Sequence, residues 1–400
     1  MVRTSIICCA IVSLLLAQAG KAQVQKEPTG YSFFIESEMM IGKIVPNYND
    51  FPRTDQVKSY FLSIGVKDNR NTHCGRFYNH PSSGLSFSYS QLGNDSIFGT
   101  SVSLIPFIEF QPFSRYLESW HLKFGIGASY ISKSYKDNVT NLAIGSRLSW
   151  AFQAFMYRDL YAGKRMNVKV GGGYFHNSNG HTQLPNMGLN SAMLSLSCQW
   201  VGRPIVSKRK ETYHGDNPNP RRLFFLNYRG GLGFHEYGGK SKPVGGPKKL
   251  VYSTAISAGI LFNQHVKVRS GFTYRFYQHY YEKITETENP DFIDDPYLNA
   301  SNIYFHLGCE FLIGHFGLDI EGGLNLFKPY YETYYRQFAS VDRFKYKLKK
   351  YFSSRMGLNF YVINTNKIPR NNVFIGANIN ANFGQADFTE LSIGYTYTFK

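Results

Sequence analysis

Apolar and polar residues alternate one for one through most of this chain, in runs of roughly ten. The final run shows it best. Leu391, Ile393, Tyr395, Tyr397 and Phe399 alternate with Ser392, Gly394, Thr396 and Thr398. A period of two means an extended strand with one apolar and one polar face. The same reading predicts strands over 33–43, 57–66, 85–91, 98–110, 122–130, 142–153, 168–178 and 190–200. It predicts eight more over 223–235, 250–262, 266–277, 303–313, 317–327, 351–362, 373–383 and 388–399. Each is about long enough to cross a bilayer when tilted.

Composition narrows what such strands build. The 400 residues include 30 Tyr and 33 Phe against 3 Trp, yet mean hydropathy is −0.30. Polar on average, aromatic and alternating is the profile of an outer-membrane β-barrel. A secreted β-sandwich is the alternative, but the strands are long for it and their apolar faces numerous. Arg3, the apolar run Ile6–Leu16 and small residues near Ala19 or Ala22 read as a secretory signal, residues 1–22. Cys8 and Cys9 lie inside that run, so a lipoprotein is not expected. No later run is long and apolar enough for a transmembrane helix.

The expected fold is all-β, an antiparallel transmembrane barrel of about 14–16 strands. The alternative is an eight-stranded barrel followed by a second β domain. The polar, proline-bearing stretch 206–222 is the evidence for that alternative, dividing 23–205 from the strands of 223–400. The last strand, ending at Phe399 with Lys400 beyond it, resembles the signal read by the bacterial barrel-assembly machinery. An even count leaves both termini periplasmic and sends odd-numbered strands outward. Inward-facing Lys267, Arg269 and Arg275 would then suit an anion-preferring lumen, were the barrel wide.

Net charge is +17, or +15 once Arg3 and Lys21 are removed with the signal (17 − 2). An exported basic protein meets lipid phosphates and not nucleic acid. Basic loops at 238–249 and 343–350 are either holders of such phosphates or ordinary solvated loops. Acidic 286–295 is more simply solvated than a cation site. His73, Cys74 and His80 match no standard ligand spacing, so no metal is assigned and no cofactor is implied. Cys74, Cys198 and Cys309, odd in number and far apart, are no disulfide framework.

Chemistry concentrates in one hairpin. His176 and Ser178 share the apolar face of strand 168–178, and Asn190 opens the next strand. Polar groups on an apolar outer face make sense where that face meets lipid. Ser178 is the candidate nucleophile and His176 its base. Oxyanion donors would come from the backbone of Asn179 and Gly180 or the side chain of Asn186. Tyr174, Ala192 and Leu194 would pack along acyl chains.

The string His176 to Asn190 resembles the signature of PagL-type lipid A 3-O-deacylases. That signature is His-x-Ser-Asn, then Pro-Asn, then Gly-x-Glu opening the next strand. His176, Ser178, Asn179, Pro185, Asn186 and Gly188 match it; so do the upstream stretches 81–94 and 138–150. The resemblance spans about 30–202. It implies an eight-stranded outer-membrane barrel that hydrolyses an ester-linked acyl chain of lipid A at its lipid-facing wall. Lipopolysaccharide would be the substrate and outer-membrane lipids the surroundings; a homodimer is left open. Where the family has its acid, this chain has Asn190, so the implied catalytic set is Ser178, His176 and Asn190. An amide oxygen can still orient an imidazole, as in Cys-His-Asn proteases, but supplies no charge. The competing reading is a barrel without catalysis: a porin, a transporter or a structural protein.

Overall fold

The computed structural model describes residues 30–69, 78–111, 119–202, 222–338 and 343–400. The expected signal 1–22, His73, Cys74 and all of the 206–222 connector but Arg222 lie outside these residues. The described chain is built from sixteen antiparallel strands, as the alternation predicts. They close as two barrels of eight, not as one of 14–16. In the first, β1 (Tyr31–Ile44) pairs with both β2 (Val57–Asp68) and β8 (Leu189–Val201), through β3 (Ser82–Gln91), β4 (Thr100–Phe110), β5 (Trp120–Ile131), β6 (Leu148–Ala162) and β7 (Met166–Ser178). In the second, β9 (Arg222–Glu236) closes on β16 (Gln385–Thr398). Between them run β10 (Lys248–Phe262), β11 (Val266–Tyr277), β12 (Ser301–Ile313), β13 (Phe316–Phe327), β14 (Phe352–Tyr361) and β15 (Asn371–Asn382). Periodicity assigns faces to strands; it does not say which edges meet, and here β8 finds β1 before β9 begins.

Both barrels are inverted relative to a soluble protein. Phe33, Leu62, Leu194 and Leu196 in the first, and Phe224, Ile256, Leu307 and Ile393 in the second, are exposed on the outer wall. A contiguous apolar belt of this kind would aggregate in water and suits a hydrocarbon surrounding. The interiors are polar and filled. Lys123 and Lys169 bind Glu36 at 3.1 and 2.8 Å, Lys169 also holds Glu109 at 2.9 Å, and the Tyr157 hydroxyl donates to Glu38. The second barrel packs Arg229, Arg269 and Arg355 around Asp319, Glu321 and Glu390. An anion-preferring lumen is therefore corrected. Lys267 sits 3.5 Å from Glu310, Arg269 is 2.7 Å from Asp319, and Arg275 donates to Asn380 and covers the Tyr304 ring. Eight strands enclose only enough room for their own side chains.

The odd strands of both barrels end at the same, loop-rich rim. Over the second barrel that rim carries α1 (Gln278–Glu286), α2 (Pro296–Asn299), α3 (Tyr331–Phe338) and α4 (Arg343–Tyr351). Tyr277, Tyr280, Tyr330, Tyr331, Tyr334 and Phe388 form an aromatic plug beneath them. The predicted basic stretch 343–350 is thus helical. Over the first barrel, 132–147 is a loop rather than the start of β6, and Ala143 and Ile144 are both fully buried in the mouth.

Candidate active site

β7 and β8 bring the predicted residues together. Their register sets His176 directly opposite Asn190, and β6–β7 pairing sets Trp150 opposite Ser178 and Phe152 opposite His176. By alternation Tyr174, His176 and Ser178 follow one another along the outward row, Ser178 itself being buried, while Phe175 and Asn177 point inside. His176 Nδ1 lies 2.7 Å from Asn190 Oδ1. The Tyr174 hydroxyl donates to the same amide oxygen, and its ring stacks within 9° of parallel to the imidazole. With Nδ1–H donating to Asn190, Nε2 keeps a lone pair to accept a proton. No hydrogen bond joins His176 to Ser178 among the described residues. Such bonds commonly tighten only with substrate in place.

The turn 179–188 covers Ser178. Asn179 N–H donates to Asn186 Oδ1 at 3.0 Å, and Asn179 Nδ2 to the Gln183 carbonyl at 2.6 Å. Of the expected oxyanion donors, the Asn179 amide is thus already engaged. Gly180 N–H and Asn186 Nδ2 have no partner among the described residues. Gly188 has φ +75°, and a Cβ there would lie 2.8 Å from His176 Cε1 and 3.5 Å from Ser178 Cβ. The mouth loop fixes this end: Met187 N–H and Gly188 N–H donate to Leu142 and Ala143 carbonyls at 3.1 and 3.0 Å. Asn47 Nδ2 adds a bond to the Met187 carbonyl at 2.6 Å.

Between them, the two barrel walls leave an apolar cavity of about 440 Å³. Phe152, Phe124 and Leu85 line it from the first barrel and Leu318, Met356 and Leu358 from the second. Phe152 reaches the site, its ring centroid 6.4 Å from that of Tyr174. No group of His, Cys, Asp and Glu able to hold a metal occurs among the described residues.

Residues 64–199 match the family model described as lipid A 3-O-deacylase (PagL). The match lies wholly within the first barrel, which is similar to that family. The match begins within β2 and ends within β8, so the second barrel lies outside it. No curated protein matches the chain. Among solved structures, a Rhodopseudomonas blastica porin triple mutant is 8% identical, covering 92% of this chain and 100% of its own, with a TM-score of 0.17. CdiB from Acinetobacter baumannii is 11% identical, covering 94% of this chain and 61% of its own, also at 0.17. Overlays this poor carry no argument.

What sequence reasoning misses lies on the far side of the PagL-type turn. The second barrel touches it through Glu236, Lys240 and Thr389. His181 of the turn stacks on His235, ring centroids 4.9 Å apart. Burial pushes the His181 pKa down, against the pull of the Asp387 carboxylate. Tyr174, by sequence only a lipid contact, also bonds Asn190 through its hydroxyl. A period-two pattern gives a residue's face but not its hydrogen bonds.

Proposed function

We propose that the protein is an outer-membrane esterase that removes an ester-linked acyl chain from lipid A, using Ser178, His176 and Asn190. The observation that carries this is the His176–Asn190 pair beside Ser178, on an outward row within the PagL-type barrel. Ser178 Oγ attacks the acyl carbonyl while His176 Nε2 takes its proton. Gly180 N–H and Asn186 Nδ2 receive the oxyanion. Collapse expels the sugar alkoxide, which takes the proton from His176 and leaves an acyl-serine. Water, deprotonated by the same imidazole, then releases the fatty acid. The substrate arrives sideways from the membrane, so the outward row needs no deep pocket. The cavity beside Phe152 offers the acyl chain an apolar path.

Lipid A from cells expressing the protein is expected to lose the mass of one acyl group, and Ser178→Ala to restore the full mass. An unchanged spectrum with the wild-type protein would sink the reading. Conductance across planar bilayers by a chemically inert protein would favour a porin. Gly188→Ala is expected to slow acyl release by at least about tenfold, because its methyl displaces the imidazole. Its effect on unfolding should stay near the roughly 1–2 kcal/mol that a left-handed backbone costs an L-residue. Normal rates in Gly188→Ala membranes would show that His176 tolerates the shift.

A further inference from the structure

The second barrel closes over the side of the 179–188 turn that the first barrel leaves open. Glu236, at the end of β9, is fully buried. Its Oε2 accepts from Leu184 N–H at 2.8 Å and its Oε1 from Gly246 N–H at 2.8 Å. The Glu236 N–H in turn donates to the His181 carbonyl at 3.2 Å. Further along the turn, Asn186 N–H donates to the Lys240 carbonyl at 2.8 Å. Thr389 on β16 accepts from Trp150 Nε1 at 2.9 Å and lies 3.4 Å from the Asn179 carbonyl. An added Cβ on Gly180 would meet Thr389 Oγ1 at 2.2 Å. Thus, of the two groups with donors left for an oxyanion, Asn186 is bonded directly from the second barrel, and Gly180 lies against its Thr389.

No ion pair to Glu236 occurs among the described residues. Burying a carboxylate without a cation costs free energy that an apolar side chain at a barrel contact would avoid. What Glu236 provides is two charge-assisted bonds to backbone N–H groups that no fixed apolar residue supplies. One of them is inside the turn that covers Ser178.

We infer that Glu236 is a positioning residue of the hydrolase: it clamps the 179–188 turn so that the oxyanion donors face Ser178, which makes the second barrel part of the active unit. The inference rests on the proposed esterase reading. A misplacement of about 1 Å in such donors costs on the order of 10²-fold in rate.

The test uses the full-length protein refolded in detergent micelles, with a p-nitrophenyl ester as substrate, a boronic acid as mimic of the tetrahedral state, and amide hydrogen exchange over the turn. Glu236→Ala is expected to lower kcat about 10²-fold with KM little changed, and to weaken boronate binding in proportion. Exchange at Leu184 should quicken. Glu236→Gln, which keeps one acceptor oxygen, should recover part of kcat. Thr389→Val, on another strand, should lower kcat in the same direction. Thermal unfolding of both barrels near the wild-type midpoint separates positioning from a general loss of stability. Unchanged kcat and boronate affinity in a folded Glu236→Ala protein would overturn the inference, and so would unchanged exchange at Leu184. A wild-type protein that hydrolyses nothing would instead defeat the esterase reading. Exchange at Leu184 would then still decide whether Glu236 clamps the turn.

Discussion

His176→Ala is expected to reduce acyl release by on the order of 10⁴-fold or more, the scale seen when a nucleophile–base pair loses either member. The loss should appear in kcat with the barrel still folded, because His176 sits on the outward row and touches none of the buried ion pairs. Asn190 is the informative neighbour. Changing a triad acid to Asn in a serine protease costs about 10⁴-fold, largely through the wrong imidazole tautomer. Here the amide oxygen faces Nδ1 and also takes the Tyr174 hydroxyl. Two donors on one oxygen hold the amide so that it accepts from the imidazole. In the proposed scheme this arrangement favours the Nδ1–H tautomer, and what Asn190 lacks is charge to stabilise the imidazolium. Asn190→Leu should fall towards His176→Ala, Tyr174→Phe should fall much less, and Asn190→Glu should rise above wild type. Measured rates on a soluble ester and lipid A masses from cells check the order. A His176→Ala protein that still releases acyl chains would remove the base from the scheme. A slower Asn190→Glu protein would show that the neutral amide suits its neighbours better than a carboxylate.

Most of this site is legible in the order of the residues, for a geometric reason. A strict period of two fixes that His176 and Ser178 share a face. The next strand opens just past the ten-residue turn 179–188, and the β7–β8 register sets Asn190 across from His176. The rest needs information that alternation does not carry. The closure into two barrels depends on β8 pairing with β1 and β16 with β9. The residues 142–147 continue the alternation by chance. Asn141 bends them away: its side chain donates to the Ile97 and Lys133 carbonyls and accepts from Ile144 N–H. Glu236 stands alone in sequence before a glycine-rich loop, with nothing to tie it to a turn about fifty residues earlier. Only the packing of one barrel on the other makes that connection.

The largest effect on stability is expected from Glu321→Ala. Glu321 accepts from Arg229 Nη1 at 2.6 Å and Arg269 Nη2 at 2.7 Å, takes the Tyr304 hydroxyl at 3.0 Å, and lies 3.8 Å from Arg355. Removing it leaves Arg229 with Glu390 at 3.8 Å as its nearest carboxylate among the described residues. An unpaired buried charge costs about 3–5 kcal/mol. Urea unfolding of the protein refolded into lipid vesicles should show that loss. The exposed Arg336–Glu332 pair provides the contrast, since at a solvated surface it should contribute only about 0–1 kcal/mol when Arg336 is replaced by Ala. Should Glu321→Ala unfold as reluctantly as Arg336→Ala, water must reach the second barrel's interior and the network is not what fills it. The same variant reaches the active site by another route. Glu321 is in the second barrel and contacts no residue of the 179–188 turn, yet β9 and β16 carry Glu236 and Thr389 against it. As urea loosens the second barrel, ester hydrolysis should fall with it, before the first barrel's own strands open. Hydrolysis that survives until the first barrel unfolds would mean that the PagL-type unit needs no support from its neighbour.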